Sequence, residues 1–234
     1  MRSDFARGMY HGIPISLGYL SVSFGFGIKA VQSGLSVIAA SLISATNLTS
    51  AGQAAGVDII AAGGALIEMI LVQLVINMRY SLMALSLSQR LDSSFTMPHR
   101  FAVSFGITDE IFAVSSAQKG RLRPAYMYGL IFVAFIGWVA GTALGAAAGE
   151  ILPASLCGAL GIMLYGMFIA IIVPPARKQS SILLVILIAA AISILFRYVL
   201  TAVSGGFAII ISAVAASALG ALLFPIEDKE EDAE

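Results

Sequence analysis

Apolar residues run through this chain in blocks longer than a soluble helix would carry, divided by short stretches of polar or small residues. A bilayer core asks for roughly 20 apolar residues per helix. On that ruler the pattern divides near Ile13–Ala30, Leu35–Ser50, Asp58–Leu87, Phe101–Gln118, Ala125–Gly149, Pro153–Val173, Ile182–Thr201 and Gly206–Phe224. The expected fold is all-α, a polytopic transmembrane helical bundle of about eight spans with broken or re-entrant segments. Asp58–Leu87 is long for one crossing and contains Asn77 and Arg79, so it is strongly tilted or in two pieces, and seven crossings remain an alternative.

Composition closes the soluble alternative. Of 234 residues 59% are hydrophobic and 11% charged, and the mean hydropathy is +0.96, an apolar surplus that one soluble core cannot absorb. The 23 glycines fall inside apolar runs, where small residues let membrane helices approach closely. Gly137, Gly141, Gly145 and Gly149 recur every fourth residue and make a contact face, with packing favoured over substrate binding. Trp138 and the other aromatics read as lipid-interface or core residues. The single cysteine, Cys157, offers neither an internal disulfide nor a thiolate cluster, and no cofactor is implied.

Net charge is zero, but the charges are segregated. Six of the 13 acidic residues and one lysine lie in Glu227–Glu234, an acidic tail expected to be cytoplasmic, behind a transporter domain of residues 1–226. The N-terminus is short and basic and lacks a convincing cleavage site, so a retained first helix is expected rather than a signal peptide. Lys and Arg accumulate in short cytoplasmic loops. With the N-terminus inside, eight spans place Arg2, Arg7, Lys119, Arg121, Arg123, Arg177 and Lys178 in the cytoplasm, and the C-terminus there too. Arg90 and Arg100 then fall outside, which is the reason to keep Phe101–Gln118 open as a re-entrant hairpin.

Polar residues inside the spans are the candidates for function, because a charge at the bilayer centre costs about 2.5–3.5 kcal/mol on insertion scales. Around Pro14, Gly18, Tyr19, Ser21, Ser23 and Gly25-Phe26-Gly27 the first helix either opens to form a mid-membrane site or is merely kinked. Asn47, Thr49, Ser50 and Gln53 belong to an uncharged polar stretch between apolar runs, expected as a broken segment able to hold an amino acid's ammonium and carboxylate groups. Asn47-Leu48-Thr49 also matches a glycosylation sequon, which its membrane depth makes a chance match. Asp109 and Glu110, following Thr108, diverge by about 100° around a helix, so one can face a cavity while the other meets a cation. A carboxyl in a low-dielectric interior holds its proton more readily, which suits proton coupling, whereas pairing with Arg79 would be structural. Arg79 either grips a substrate carboxylate or, as the reading preferred here, neutralises Asp109 or Glu110; Glu68 and Arg79 share one helical face.

Four pieces in this order resemble the AzlC family of branched-chain amino acid transport proteins. They are Pro14 to Tyr19 with Phe24-Gly25-Phe26-Gly27 and Gly34-Leu35-Ser36, then Ser50-Ala51-Gly52-Gln53, then Asn77-Met78-Arg79-Tyr80, and finally Phe105 to Ala113. The resemblance runs from about Met9 to Gly149. It departs at Tyr80, where a histidine is frequent, and at Ala54, where an aromatic often follows the glutamine. It implies a multi-spanning bacterial inner-membrane permease that exports valine, leucine, isoleucine or similar amino acids, together with a small AzlD-like membrane partner. Nucleic acid has no place in this reading. Two isolated histidines near span ends, His11 and His99, supply no enzyme constellation. A passive channel and a non-transporting scaffold subunit are the alternatives of other classes.

Overall fold

The computed structural model describes residues 3–225, and those residues form ten α-helices. They are α1 (Asp4–Gln32), α2 (Val37–Thr46), α3 (Ser50–Ala61), α4 (Leu66–Ser88), α5 (Met97–Ser104), α6 (Asp109–Ser116), α7 (Pro124–Ile151), α8 (Ala154–Lys178), α9 (Ser180–Tyr198) and α10 (Gly205–Leu223). The acidic tail Glu227–Glu234 lies outside the described residues. Six helices, α1, α4, α7, α8, α9 and α10, are long and apolar enough to cross a membrane. These six candidate spans stand against the eight, or seven, read from the sequence, within the same all-α polytopic bundle.

The difference is local to the two irregular regions. The expected second and third spans, Leu35–Ser50 and Asp58–Leu87, share out among α2, α3 and α4, with the break between α2 and α3 at extended Asn47 and Thr49 and a turn at Gly63, whose φ is +64°. The expected fourth span, Phe101–Gln118, is two helices of 8 residues each. At 1.5 Å per residue each reaches about 12 Å, under half of a hydrocarbon core.

Contacts along the chain fix the direction of every helix. Gly129 of α7 meets the Phe5 backbone, Gly137 meets Ser16, Gly145 meets Phe24 and Gly149 meets Ile28, so α1 and α7 run parallel along their whole lengths. The end of the bundle where both begin is called here the N-terminal face. In α5, His99 Nδ1 lies 2.7 Å from the Tyr128 hydroxyl near the start of α7, while Phe105 packs on Phe135 further along. In α6 the order reverses: Thr108 sits beside Tyr19, and Gln118 is back beside His11. Thus α5 and α6 form a hairpin that enters from the N-terminal face and returns to it. Its mouth is tied there. The Leu122 N–H donates to the Arg90 carbonyl at 2.8 Å, the Asp92 N–H to the Leu122 carbonyl at 3.0 Å, and Arg123 bridges Asp92 and Asp4 at 3.4 and 3.2 Å. The Ser94 hydroxyl and N–H both donate to Asp92 and hold its carboxyl below the usual range, keeping this exposed clasp charged.

The α2–α3 hairpin mirrors it from the opposite face. Thr49 meets Asn77 at mid-α4, Gly52 meets Gln73, Gly56 meets Met69, and Gly64 meets Glu68, so α3 runs antiparallel to α4 and out again. Beyond these, Gly206 at the start of α10 rests on Glu68, and Gly220 near its end on Val185 at the start of α9. The six long helices therefore alternate in direction, with both hairpins dipping between them. Of the two alternatives for the first helix around Pro14 and Gly25-Phe26-Gly27, the opening is not found: the α7 seam holds α1 helical from Asp4 to Gln32 straight through Pro14. The breaks fall in the hairpins instead. On the periphery α9 has no buried residue and presents Leu183, Leu187 and Ile194, as a lipid-facing helix should.

A side chain at Gly145 has nowhere to go. Its Cβ would press into the Phe24 carbonyl, which is helix backbone and cannot rotate aside. Gly145→Ala should therefore destabilise the protein in detergent by about 1–3 kcal/mol. Gly158→Ala, on an open face of α8, should be neutral or slightly stabilising, and thermal unfolding of the two variants side by side checks the seam.

Candidate functional site

The tips of the two hairpins meet halfway along α1, α4 and α7. Each tip is built alike. An extended residue precedes a helix, and its threonine hydroxyl caps the first turn: Thr49 accepts from the Gly52 N–H at 3.4 Å, and Thr108 accepts from the Ile111 N–H at 3.3 Å. Threonine suits both places, since it tolerates extended backbone and satisfies one of the donors left open at a helix start. Two helix N-termini, those of α3 and α6, are thereby brought from opposite faces to one point.

Between them lies a cavity of about 20 Å³ lined by Tyr19, Leu48, Ser50, Tyr80, Thr108, Asp109, Glu110, Trp138, Met167 and Ile171. That is room for about one water molecule, too little for an amino acid in this conformation. Its walls divide by chemistry. Leu48, Trp138, Met167 and Ile171 are apolar, while Ser50, Thr108 and the two acids cluster at the helix starts. The first turn of α3 contains no acidic side chain, whereas that of α6 begins with Asp109 and Glu110. The α3 end thus favours an anion and the α6 end a cation. Trp138 is 2% exposed and its indole N–H has no partner among the described residues, which leaves a buried donor in the cavity wall.

The two acids have different partners. Asp109 Oδ2 is 2.9 Å from a guanidinium nitrogen of Arg79, so α4 and the tip of the α5–α6 hairpin are joined by an ion pair. Glu110 makes no ion pair among the described residues. Its Oε2 lies 2.6 Å from the Tyr19 hydroxyl, which is also 2.5 Å from Thr108 Oγ1. A phenol has one proton to give, so Tyr19 can donate to only one of these two oxygens at a time. The Tyr19 ring is held edge-on by Trp138, with ring centroids 5.2 Å apart.

Other residues singled out in the sequence surround the cavity without lining it. Thr49 is 3% exposed and donates to Asn77 Oδ1 at 2.9 Å. Gln53 braces the α2–α3 tip: its amide donates to the Asn47 carbonyl, and Ser44 donates to its carbonyl oxygen at 3.3 Å. Ser23 is fully buried against Gly141 in the α1–α7 seam. Glu68 does not extend a polar stripe toward Arg79. It accepts from the Ser204 hydroxyl at 2.6 Å and the Gly206 N–H at 2.8 Å, capping the start of α10. Leu48, Tyr80, Trp138 and the α8 residues Met167 and Ile171 are cavity residues outside the site candidates of the sequence, where Trp138 reads as an interface or core residue and Tyr80 only as a departure from the family pattern. The adjacency of Tyr80 to Arg79 was a usable signal; for residues on α8 there was none. Among the described residues no three His, Cys, Asp or Glu side chains are placed to hold a metal ion.

Comparison with known proteins bears on the same region. A family model described as AzlC protein matches residues 14–152, the stretch from α1 through α7 that supplies most of the cavity walls. A membrane protein of Archaeoglobus fulgidus is 33% identical over 174 residues, covering 73% of this chain and 75% of the relative. The inner membrane protein YgaZ of Escherichia coli is 30% identical over 179 residues, covering 73% of each. No solved structure matches. With more than half its length matched and a bundle of membrane-spanning helices around two re-entrant hairpins, this chain belongs to the AzlC family of membrane transporters.

Proposed function

We propose that this protein exports branched-chain or similar small apolar amino acids, driven by the proton gradient and working with a small AzlD-like membrane subunit in the bacterial inner membrane. The observation that carries the proposal is the convergence of two unlike helix N-termini on a cavity with one apolar wall. An α-amino acid has three parts to be met. Its carboxylate suits the acid-free α3 start at Ser50, its ammonium the α6 start at Glu110, the acid that Arg79 does not take, and an aliphatic side chain Leu48, Trp138, Met167 and Ile171. Asn47, Gln53, Thr49 and Asn77 hold the α2–α3 tip in place. A cavity of about 20 Å³ favours a carrier over an open channel, because a pore would stay hydrated along its length.

The N-terminal face is the cytoplasmic one in this proposal. With the α5–α6 hairpin returning to its own side, Arg7, Arg90, Lys119, Arg121, Arg123, Arg177 and Lys178 all gather at that face, and Arg100 lies one turn inside the hairpin's mouth. Arg90 and Arg100, which contradicted the orientation under eight spans, support it under six. Six crossings also put both chain ends on one side.

The test is reconstitution with and without the small membrane subunit. Vesicles loaded with labelled leucine, valine, isoleucine or methionine should show counterflow in the absence of any ion gradient, and efflux that accelerates when the pH outside is lowered. Flux of none of the four, with the subunit present and the protein correctly folded, would remove the proposal.

A further inference from the structure

The two hairpin tips are joined by one polar chain that touches the cavity at Asp109 and Tyr80 and runs on behind it. It starts at Asp109 on the α5–α6 tip, whose carboxylate takes the Arg79 guanidinium at 2.9 Å. The other terminal nitrogen of Arg79 donates to the Tyr80 hydroxyl at 3.1 Å, and that hydroxyl donates to Thr49 Oγ1 at 3.4 Å on the opposite tip. Thr49 donates to Asn77 at 2.9 Å, Asn77 to Gln73 at 3.0 Å, and Gln73 to the Gly52 carbonyl in the first turn of α3 at 2.7 Å. Every member from Arg79 onward donates to the next, so the chain is satisfied in one direction throughout.

The halves it connects are inverted copies in layout. A long helix, α1 or α4, is followed by a hairpin that enters from the face where that helix ends, and each hairpin tip carries an extended threonine cap. Each threonine meets a tyrosine of the other half, Thr108 with Tyr19 and Thr49 with Tyr80. The two clasps are not equally tight: 2.5 Å on the α5–α6 tip and 3.4 Å on the α2–α3 tip.

We infer that Tyr80 is a positioning residue that makes the two hairpins open in turn, because through Arg79 it ties the seat of the α2–α3 tip to the charge state and placement of the α5–α6 tip. An event at Asp109 that draws Arg79 away removes the donor to Tyr80 and slackens its hold on Thr49, freeing the hairpin on the far face. Site access is thereby exchanged between faces rather than opened to both. This rests on the transport reading above, yet hairpin exposure is measurable without any substrate.

The experiment replaces the native thiol by Cys157→Ser and introduces either Leu48→Cys, beside the α2–α3 tip, or Ile107→Cys, beside the α5–α6 tip, both positions being buried here. Each is labelled with a membrane-impermeant maleimide from either side of vesicles of known orientation. Tyr80→Phe should raise labelling of the cysteine at position 48 at least fivefold from the far face and lower that at position 107 from the N-terminal face. Thr49→Val, which breaks the same bond from the other end, should reproduce this, and Thr49→Ser, which keeps the hydroxyl, should restore the original rates. Unchanged labelling at both positions overturns the inference, as does a rise at both, which reports general loosening. Leucine counterflow in the same vesicles separates the two failures: coupled labelling without flux sinks the transport reading alone, and flux without coupled labelling sinks this inference alone.

Discussion

Asp109→Asn should lower the yield and thermal stability of the protein and abolish amino-acid efflux, and adding Arg79→Gln should restore the stability but not the efflux. The reason is the ion pair at 2.9 Å between α4 and the α5–α6 tip. Removing one partner leaves a guanidinium at mid-span without a counter-charge. For a fully buried pair that costs about 3–5 kcal/mol. The side chains here retain 39% and 28% of their exposure, so the pair is only partly buried and roughly 2 kcal/mol is expected. Neutralising both members removes the orphaned charge, and a double-mutant cycle measures the coupling between them. Arg79→Lys should keep most of the stability yet reduce efflux at least tenfold. The two ends of the guanidinium serve Asp109 and Tyr80 at once, and a single ammonium cannot occupy both positions. If the double variant were no more stable than Asp109→Asn, the pair would not be what holds the tip.

Hydrophobic patterning was enough to place the long helices, since α7 to α10 lie within a few residues of the segments drawn from the sequence. It failed where length and depth part company. An apolar block of some 20 residues reads the same whether it crosses once or folds back at its middle, and Phe101–Gln118 did the second. The clue was in the charges, because Arg90 and Arg100 obey the basic-loop bias only if that segment returns. The partition of residues 47–65 was hidden for another reason. Thr49-Ser50 and Thr108-Asp109 are strong helix-start signals, but a start signal in the middle of an apolar block looks like a polar defect until the fold shows two helices ending there. Tertiary placement was least legible: Ser23 and Thr49 both read as hydroxyls available to a mid-membrane site, yet one is sealed in the α1–α7 seam and the other sits at the meeting point of the hairpins.

The two acids have separate partners, Arg79 for Asp109 and Tyr19 for Glu110, and Glu110 is the one expected to carry the proton. Glu110→Gln should reduce gradient-driven efflux at least tenfold and flatten its dependence on external pH, while counterflow of leucine persists at a raised half-saturating concentration, because the amide oxygen still accepts from the substrate's ammonium, and the protein remains as stable as the unmodified chain. Asp109 is committed to Arg79, so its charge is spent on holding the tip. Glu110 has no cation among the described residues and instead faces the Tyr19 hydroxyl, which has a choice of acceptors at 2.6 and 2.5 Å. With Glu110 ionised, Tyr19 donates to it and takes the Thr108 proton. When Glu110 gains a proton it becomes a donor, and Tyr19 turns its own proton to Thr108. One proton on the carboxyl therefore reverses the hydrogen-bond order at the α5–α6 tip, at the closed clasp of the hairpin that opens to the N-terminal face. Glutamine keeps the size and can still accept from Tyr19, but it cannot change state. Tyr19→Phe removes the choice and should give the same uncoupled behaviour, with some loss of stability because Glu110 forfeits its donor. Efflux that still follows external pH in both variants, at normal protein levels, would take Glu110 out of the coupling step and leave the driving ion to be sought elsewhere.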